Sequence, residues 1–287
     1  MCRLNSPQCW RRSVHTSHAP LQHSDGRQQR ETYWRYKQKP QEKQRSHHFV
    51  IAKQLIPVNS MSSSTCNSLS TNQLQIRVIK PQERQQVLDF LRVHYYLEEP
   101  LTVGSEPKQQ DKEDEDFNMS NIEHDTCIMA VQKDDTNSQE TIVGALMAGP
   151  KGPDEADHLF EEAANLGPTK WGHILQFLAC VERDANICGR FKVQKVLHVH
   201  VMGVNREMHG QNIGRRLVEQ VLNVAKRLNF KMVAADCTSY YSARLFERMG
   251  FECINIKYYK DYVDETGKQV FKPDAPHECV KTFALKL

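Results

Sequence analysis

The 287-residue sequence lacks any run approaching the ~18 consecutive apolar residues that a membrane-spanning helix needs, and it has no secretory hydrophobic segment. The expectation is a protein of the cytoplasm without a membrane partner. Its nine cysteines (Cys2, Cys9, Cys66, Cys127, Cys180, Cys188, Cys237, Cys253 and Cys279) include no CxxC pair. That spacing gives neither a zinc cluster nor a disulfide framework. Acids are scarce in one place only. Residues 1–60 hold 11 Lys and Arg against 3 Asp and Glu, a charge of +8, which leaves −5 for the rest of a chain whose total is +3. The basic character belongs to this first stretch, and the mildly acidic remainder suits a cationic small molecule better than nucleic acid.

Residues 1–70, rich in Arg, Gln, His and Ser, are expected to form a disordered basic and polar extension. A mitochondrial transit peptide is the alternative, but the first twenty residues show no clear amphipathic apolar face. Met61 opens a polar run, Met61-Ser62-Ser63-Ser64-Thr65, just before the body and is a second candidate start. The folded body is placed at 71–287.

Within the body the apolar period alternates between about 2 and 3.6. Strands are expected at 74–80, 126–132, 141–148, 195–204, 231–237, 251–260 and 269–285, with a hairpin turn at Asp134–Ser138 and another at Asp264–Gly267. Helices are expected from Pro81 to about Tyr95, over 154–165, over 170–187 with Trp171, Ile174, Leu175, Leu178 and Val181 on one face, and over 213–229 and 240–249. The charge run Asp111–Asp116 reads as a solvated loop or helix end. The fold class is α/β, one domain with a mixed sheet.

The segment with most chemical content is the passage from strand 195–204, through Asn205-Arg206-Glu207-Met208-His209-Gly210-Gln211-Asn212, into the helix whose Ile213, Leu217, Val221, Val224 and Leu228 share a face. A helix N-terminus offers amides without intrahelical acceptors and a dipole that favours anions. Arg215 and Arg216 in a first turn oppose that dipole by about 0.3–1 kcal/mol each unless an anion lies there. A phosphate or pyrophosphate fits this cradle.

Downstream, the chain reads Cys237-Thr238-Ser239-Tyr240-Tyr241-Ser242-Ala243 and continues to Phe246, Gly250 and Phe251. With the Glu98-Glu99-Pro100-Leu101 stretch before it and Phe271-Lys272-Pro273-Asp274-Ala275-Pro276-His277 after it, the order resembles the GNAT superfamily. Within that superfamily it is closest to the insect-type arylalkylamine (dopamine) N-acetyltransferase family. The resemblance covers roughly 74–287. It implies a GNAT-type sheet whose central parallel strands splay apart to admit acetyl-coenzyme A, and direct acetyl transfer to an amine in a ternary complex, without metal. The small-molecule amines implied are of the dopamine, serotonin, tyramine and octopamine class. The expected partners are the amine and acetyl-coenzyme A alone, acting on a monomer.

By that resemblance Glu99 is the general base, with Glu98 behind it; the following Pro100 biases Glu99 to an extended backbone. Thr238 and Ser242 match the family's paired serines, with Ser239 as alternative, and Tyr241 is a second-rank acid for the leaving thiolate. Thr238 or Ser239 equally suits the role of helix cap. Donor contacts are assigned to Val204, His209, Gly210, Gln211, Asn212, Ile213, Gly214, Arg215 and Arg216. Here Asn212 replaces an expected glycine, a position that asparagine tolerates in the left-handed region. His209 replaces an expected Arg or Gln. His198 and His200, two apart on one strand, face the same side and are second-rank proton carriers. Cys237 is a packing residue. Tyr95, Tyr96 and Phe117 are candidate walls of the amine pocket. The alternative readings are a degenerate acyl-coenzyme A-binding protein and a polyamine or peptide N-acetyltransferase.

Overall fold

The computed structural model describes residues 74–108, 111–133 and 140–287. The readings of 1–70, of Met61 and of the turn at Asp134–Ser138 lie outside the described residues. Seven strands, β1 (Leu74–Val78), β2 (Ile128–Lys133), β3 (Glu140–Lys151), β4 (Val196–Val204), β5 (Met232–Cys237), β6 (Glu252–Tyr258) and β7 (Cys279–Lys286), form one sheet in the order β1-β2-β3-β4-β5-β7-β6. Every neighbouring pair is antiparallel except β4 and β5.

Those two central strands carry the feature that makes a site. Their pairing covers only Leu197–Val199 against Val233–Ala235. Beyond Val199, β4 runs on to Val204 while the last residues of β5, Asp236 and Cys237, pair with β7 alone. A bulge helps to open the gap. In the β3–β4 ladder Met147 pairs Val201 and Ala148 pairs Val199, so His200 is the extra residue on β4, and a bulge bends its strand and increases the local twist.

Helix α1 (Arg84–His94) follows a 3-10 turn at Pro81–Glu83, so Pro81 opens a tighter turn rather than the α-helix itself. Two short helices come next, α2 (Pro100–Val103) and α3 (Lys112–Ser120), then α4 (Glu155–Leu166), α5 (Lys170–Ala185), α6 (Ile187–Phe191), α7 (Ile213–Arg227) and α8 (Tyr240–Arg248). On α7 the expected stripe is buried: Ile213, Leu217, Val221 and Val224 are each at most 2% exposed and pack on Ala130, Leu146 and Val199. At about 1.5–3 kcal/mol per fully buried aliphatic side chain, this stripe fixes the helix that follows the anion loop. Leu228 lies outside it, because the helix ends at Arg227 and leaves Leu228 exposed as the C-cap. The opposite sheet face packs Met129, Met147 and Val201 against Val87 and Leu91 of α1. Helices α4 and α5 enclose a third cluster with Phe177, Tyr259 and Phe271.

Two expectations are corrected. The charge run 111–116 is not simply solvated, for it opens α3 with Asp114 and Glu115 buried. The strand expected over 269–285 is ordered as a strand only from Cys279; before it, residues 271–278 form a strap tied at one end by Lys272 N–H to the Gly104 carbonyl (2.6 Å) and at the other by His277. Two prolines, Pro273 and Pro276, explain the break, since proline cannot donate to a ladder.

Candidate active site

A cleft of about 620 Å³, open to solvent, lies beside the splay. Its walls come from every element around the gap: Glu99 and Leu101 of α2 and its cap, Asp114 and Phe117 of α3, Trp171 of α5, His198 and His200 of β4, and Asp236 and Thr238 at the end of β5.

Glu99 has an extended backbone (φ −68°, ψ 119°), as Pro100 requires, and is the N-cap of α2. The N–H groups of Leu101 and Thr102 donate to its carboxylate at 3.1 and 2.6 Å. These bonds hold the side chain in one orientation, and it is only 6% exposed. Burial, reinforced by the charge of Glu99, pushes the Tyr95 and Tyr259 hydroxyls well above the ordinary tyrosine value, so both stay protonated beside it. Glu98 differs in every respect: it is exposed and pairs with Arg206.

Helix α3 presents Asp114, Phe117 and Asn118 to the cleft, the i, i+3, i+4 spacing of one helical face. Glu115, turned away, is neutralised by Arg92 of α1 through two bonds of 2.8 and 2.7 Å. Asp114 accepts from the Asn118 amide at 2.6 Å. Burial, then the charge of Glu99, raises its pKa well above the usual carboxylate range.

At the base of the cleft lies a charged network. The Asp236 carboxylate receives Nε2–H of His198 at 3.1 Å and the Thr282 hydroxyl at 2.7 Å. Burial alone would raise its pKa, but His198 and Lys151 outweigh burial and bring it down to about 2. Lys151 Nζ stands 3.0 Å from Glu182 and 3.9 Å from Asp236. Burial opposes its charge, and Glu182 and Asp236 more than offset this and raise its pKa. Glu182, His198 and Asp236 offer ligand atoms within 4.8 Å of one another, a spacing open to a divalent ion. Lys151 already supplies the positive charge at that point. His198 Nδ1 is buried and has no hydrogen-bond partner among the described residues. The His200 ring lies 4.8 Å away, and burial, then His198, pushes its pKa well below the ordinary imidazole value.

The 237–242 segment divides. Thr238 lines the same cleft as Glu99, and its carbonyl accepts from the Tyr259 hydroxyl at 2.6 Å. Ser239 caps α8 by accepting from Ser242 N–H at 3.0 Å, and the two serine hydroxyls are 2.9 Å apart. Tyr241 is 67% exposed with its ring against His277, and it lines no wall of the cleft. Cys237 is buried, and burial pushes its thiol far above the usual value, so it packs rather than reacts. Of the candidate walls, Tyr95 and Phe117 line the cleft, whereas Tyr96 is buried core bonded to Asn118 at 3.0 Å. Asp114, Lys151, Asp236 and Tyr259 were missed from sequence. Only Asp114 carried a signal, its i, i+3, i+4 relation to Phe117 and Asn118.

On the donor side, Asn212 is in the left-handed region (φ 60°, ψ 19°) and Gly210 has φ 83°. No side chain caps α7, so the first amides from Ile213 are open to an anion. Arg216 and Gln211 are exposed around them, and Arg215 is held by Glu219 at 2.8 Å. The His209 ring meets the Val204 carbonyl at 3.3 Å. Gly214 seats α7 on α8, where a Cβ would lie 3.3 Å from Leu245. The open strand edge, the uncapped helix and the exposed guanidinium fit a long thiol donor with a pyrophosphate.

Residues 90–251 match the model of the acetyltransferase (GNAT) family. Among solved structures, the apo form of an agmatine N-acetyltransferase is 41% identical with a TM-score of 0.71, covering 75% of this chain and 99% of its own. A polyamine N-acetyltransferase of Drosophila melanogaster, described as catalysing formation of N-acetylagmatine, is also 41% identical (TM-score 0.70; 75% and 100%). A mosquito arylalkylamine N-acetyltransferase like 5b is 36% identical (TM-score 0.70; 75% and 100%). A splayed β4–β5 pair, an uncapped α7 and a family match over more than half its length together place this chain in the GNAT acetyltransferase family, among the N-acetyltransferases of amines.

Proposed function

We propose that the chain transfers acetyl from acetyl-coenzyme A to the primary amine of a small alkylamine that carries a second cationic group, the agmatine and diamine class. The observation that supports this most is the charge of the cleft: Glu99, Asp114, Glu155 and Asp236 against the ammonium of Lys151 and the His198 imidazole that pairs with Asp236. A monoamine returns one positive charge to these walls, whereas a dication returns two. Arylalkylamines remain the second reading, supported by the Trp171, Phe117 and Tyr95 rings, which offer apolar and cation–π surface to an aromatic amine.

In the proposed step the donor lies in the splay with its pyrophosphate at the start of α7, held by the amides around Gln211–Gly214 and by Arg215 and Arg216. Glu99 takes a proton from the ammonium, directly or through water, and the free amine nitrogen attacks the thioester carbonyl. The C–N bond forms as the C–S bond breaks. The thiolate takes a proton from a hydroxyl of the Thr238–Ser242 segment, Thr238 lining the cleft and Ser242 relaying through Ser239, and that hydroxyl is reprotonated by the second proton the attacking nitrogen releases as the amide forms. The exposed setting of Tyr241 speaks for a lesser role.

The test is thiol release by the full chain with acetyl-coenzyme A and a panel of agmatine, putrescine, tyramine, dopamine and an N-terminal peptide. The proposal expects agmatine or putrescine to show the highest kcat/KM. Highest turnover of tyramine or dopamine would establish the arylalkylamine reading instead. Peptide turnover, or donor binding without turnover of any amine, would overturn both.

A further inference from the structure

Helix α3 buries two adjacent acids and treats them differently. Glu115 meets Arg92 in a bidentate pair, while Asp114, on the cleft face, has no Lys, Arg or His within ion-pairing distance among the described residues. Its one bonded partner is the neutral Asn118 amide, which Tyr96 accompanies in the wall behind. A carboxylate 91% buried without an ion-pair partner is costly; Lys170 acts on it only from beyond pairing distance, and the charge of Glu99 in the same cleft adds repulsion. Such a group persists in a binding site when the missing cation arrives with the ligand. His198 Nδ1, a buried polar atom of the neighbouring wall, also has no hydrogen-bond partner among the described residues.

We infer that Asp114 is the specificity residue of this enzyme, binding the distal guanidinium or ammonium of the acceptor while the reacting amine lies at Glu99. Asn118 holds the carboxylate in place, and Phe117, on the same helical face, borders the alkyl chain between the two cations. The assignment rests on the proposed amine acetyltransferase reading. It extends that reading by giving the second cation its own site on α3, separate from the base on α2.

The experiment compares the full chain with Asp114→Asn and Asp114→Glu, using agmatine and n-butylamine, which share a carbon chain and differ in the distal cation. In Asp114→Asn the ratio of kcat/KM for agmatine to that for butylamine is expected to fall about 10- to 100-fold, the size of one charge-assisted bond, and to fall through KM. Asp114→Glu, which keeps the charge, is expected to restore part of that ratio. Acetyl-coenzyme A binding by each variant checks that it is folded. A ratio within about threefold of the parent, or an equal loss of kcat with both amines, would overturn the assignment and make Asp114 a structural residue. If the parent turns over neither amine, the acetyltransferase reading fails separately. Agmatine binding by calorimetry then decides on Asp114: affinity at least tenfold weaker in Asp114→Asn upholds the site, and equal affinity removes it.

Discussion

Replacing Glu99 with Gln removes the carboxylate that the account makes the base while leaving the shape of the cleft almost unchanged. Its cost divides into two parts that separate experimentally. The Glu99 carboxylate accepts N–H groups from Leu101 and Thr102 at 3.1 and 2.6 Å, and a Gln amide oxygen can keep one of them. Loss of the other weakens the cap of α2 by about 0.5–1 kcal/mol, which lowers the melting temperature of a domain this size by only about 2–4 °C. Loss of a positioned base costs far more in rate, about 100- to 10,000-fold in kcat. The assay is thiol release at saturating acetyl-coenzyme A, with thermal unfolding followed in parallel. A second signature belongs to a base alone: an amine of low pKa, already neutral at the assay pH, should lose less rate than agmatine does. A kcat within about threefold of the parent would refute the role of Glu99, as would an equal loss for amines of every pKa.

Three further outcomes follow from the same structure. Asp236 is held at about 2 by His198 and Lys151, a folded pKa below its ordinary 3.8, so its stabilisation is full above pH ~4 and is lost as pH falls toward 2. Asp236→Asn should flatten that acid limb in pH-dependent unfolding while lowering stability at neutral pH. Gly104→Ala should destabilise by about 1–3 kcal/mol and lower turnover, because the new Cβ would meet the Pro100 carbonyl and lie 2.7 Å from Pro273 N, both backbone atoms that cannot step aside; chemical denaturation measures it. Replacing Arg215 and Arg216 together with Ala should raise the KM for acetyl-coenzyme A about 3- to 30-fold, more so at low salt, with little change in the KM for amine.

The sequence was most legible where side-chain period met burial. The stripe on α7 and the seven strands are plain in the apolar pattern, and the left-handed bend at Asn212 follows from what asparagine tolerates. The extended backbone of Glu99 was legible through Pro100, which fixes it at the cap of α2. The rest depended on contacts between distant elements. Helical spacing puts Asp114 on the face of Phe117 and Asn118, but nothing local shows that Arg92 reaches Glu115 and not Asp114. Lys151, at the end of β3, and Asp236, at the end of β5, meet only because β4 lies between their strands. The strap 271–278 resembled a strand because its apolar residues alternate, yet Phe271 is buried against Phe177 rather than in the sheet. The bulge at His200 leaves no mark in the sequence.

The central claim is that donor and amine meet in this cleft, the donor entering between β4 and β5 and the amine reaching Glu99 and Asp114. A crystal structure with a conjugate of coenzyme A and agmatine joined through an acetyl bridge tests it most directly. The account predicts pyrophosphate at the start of α7, the bridge beside Glu99 and Thr238, and the guanidinium on Asp114. A conjugate whose amine end lies outside the cleft, for instance in the groove by Tyr240, Tyr258 and Lys281, would contradict it.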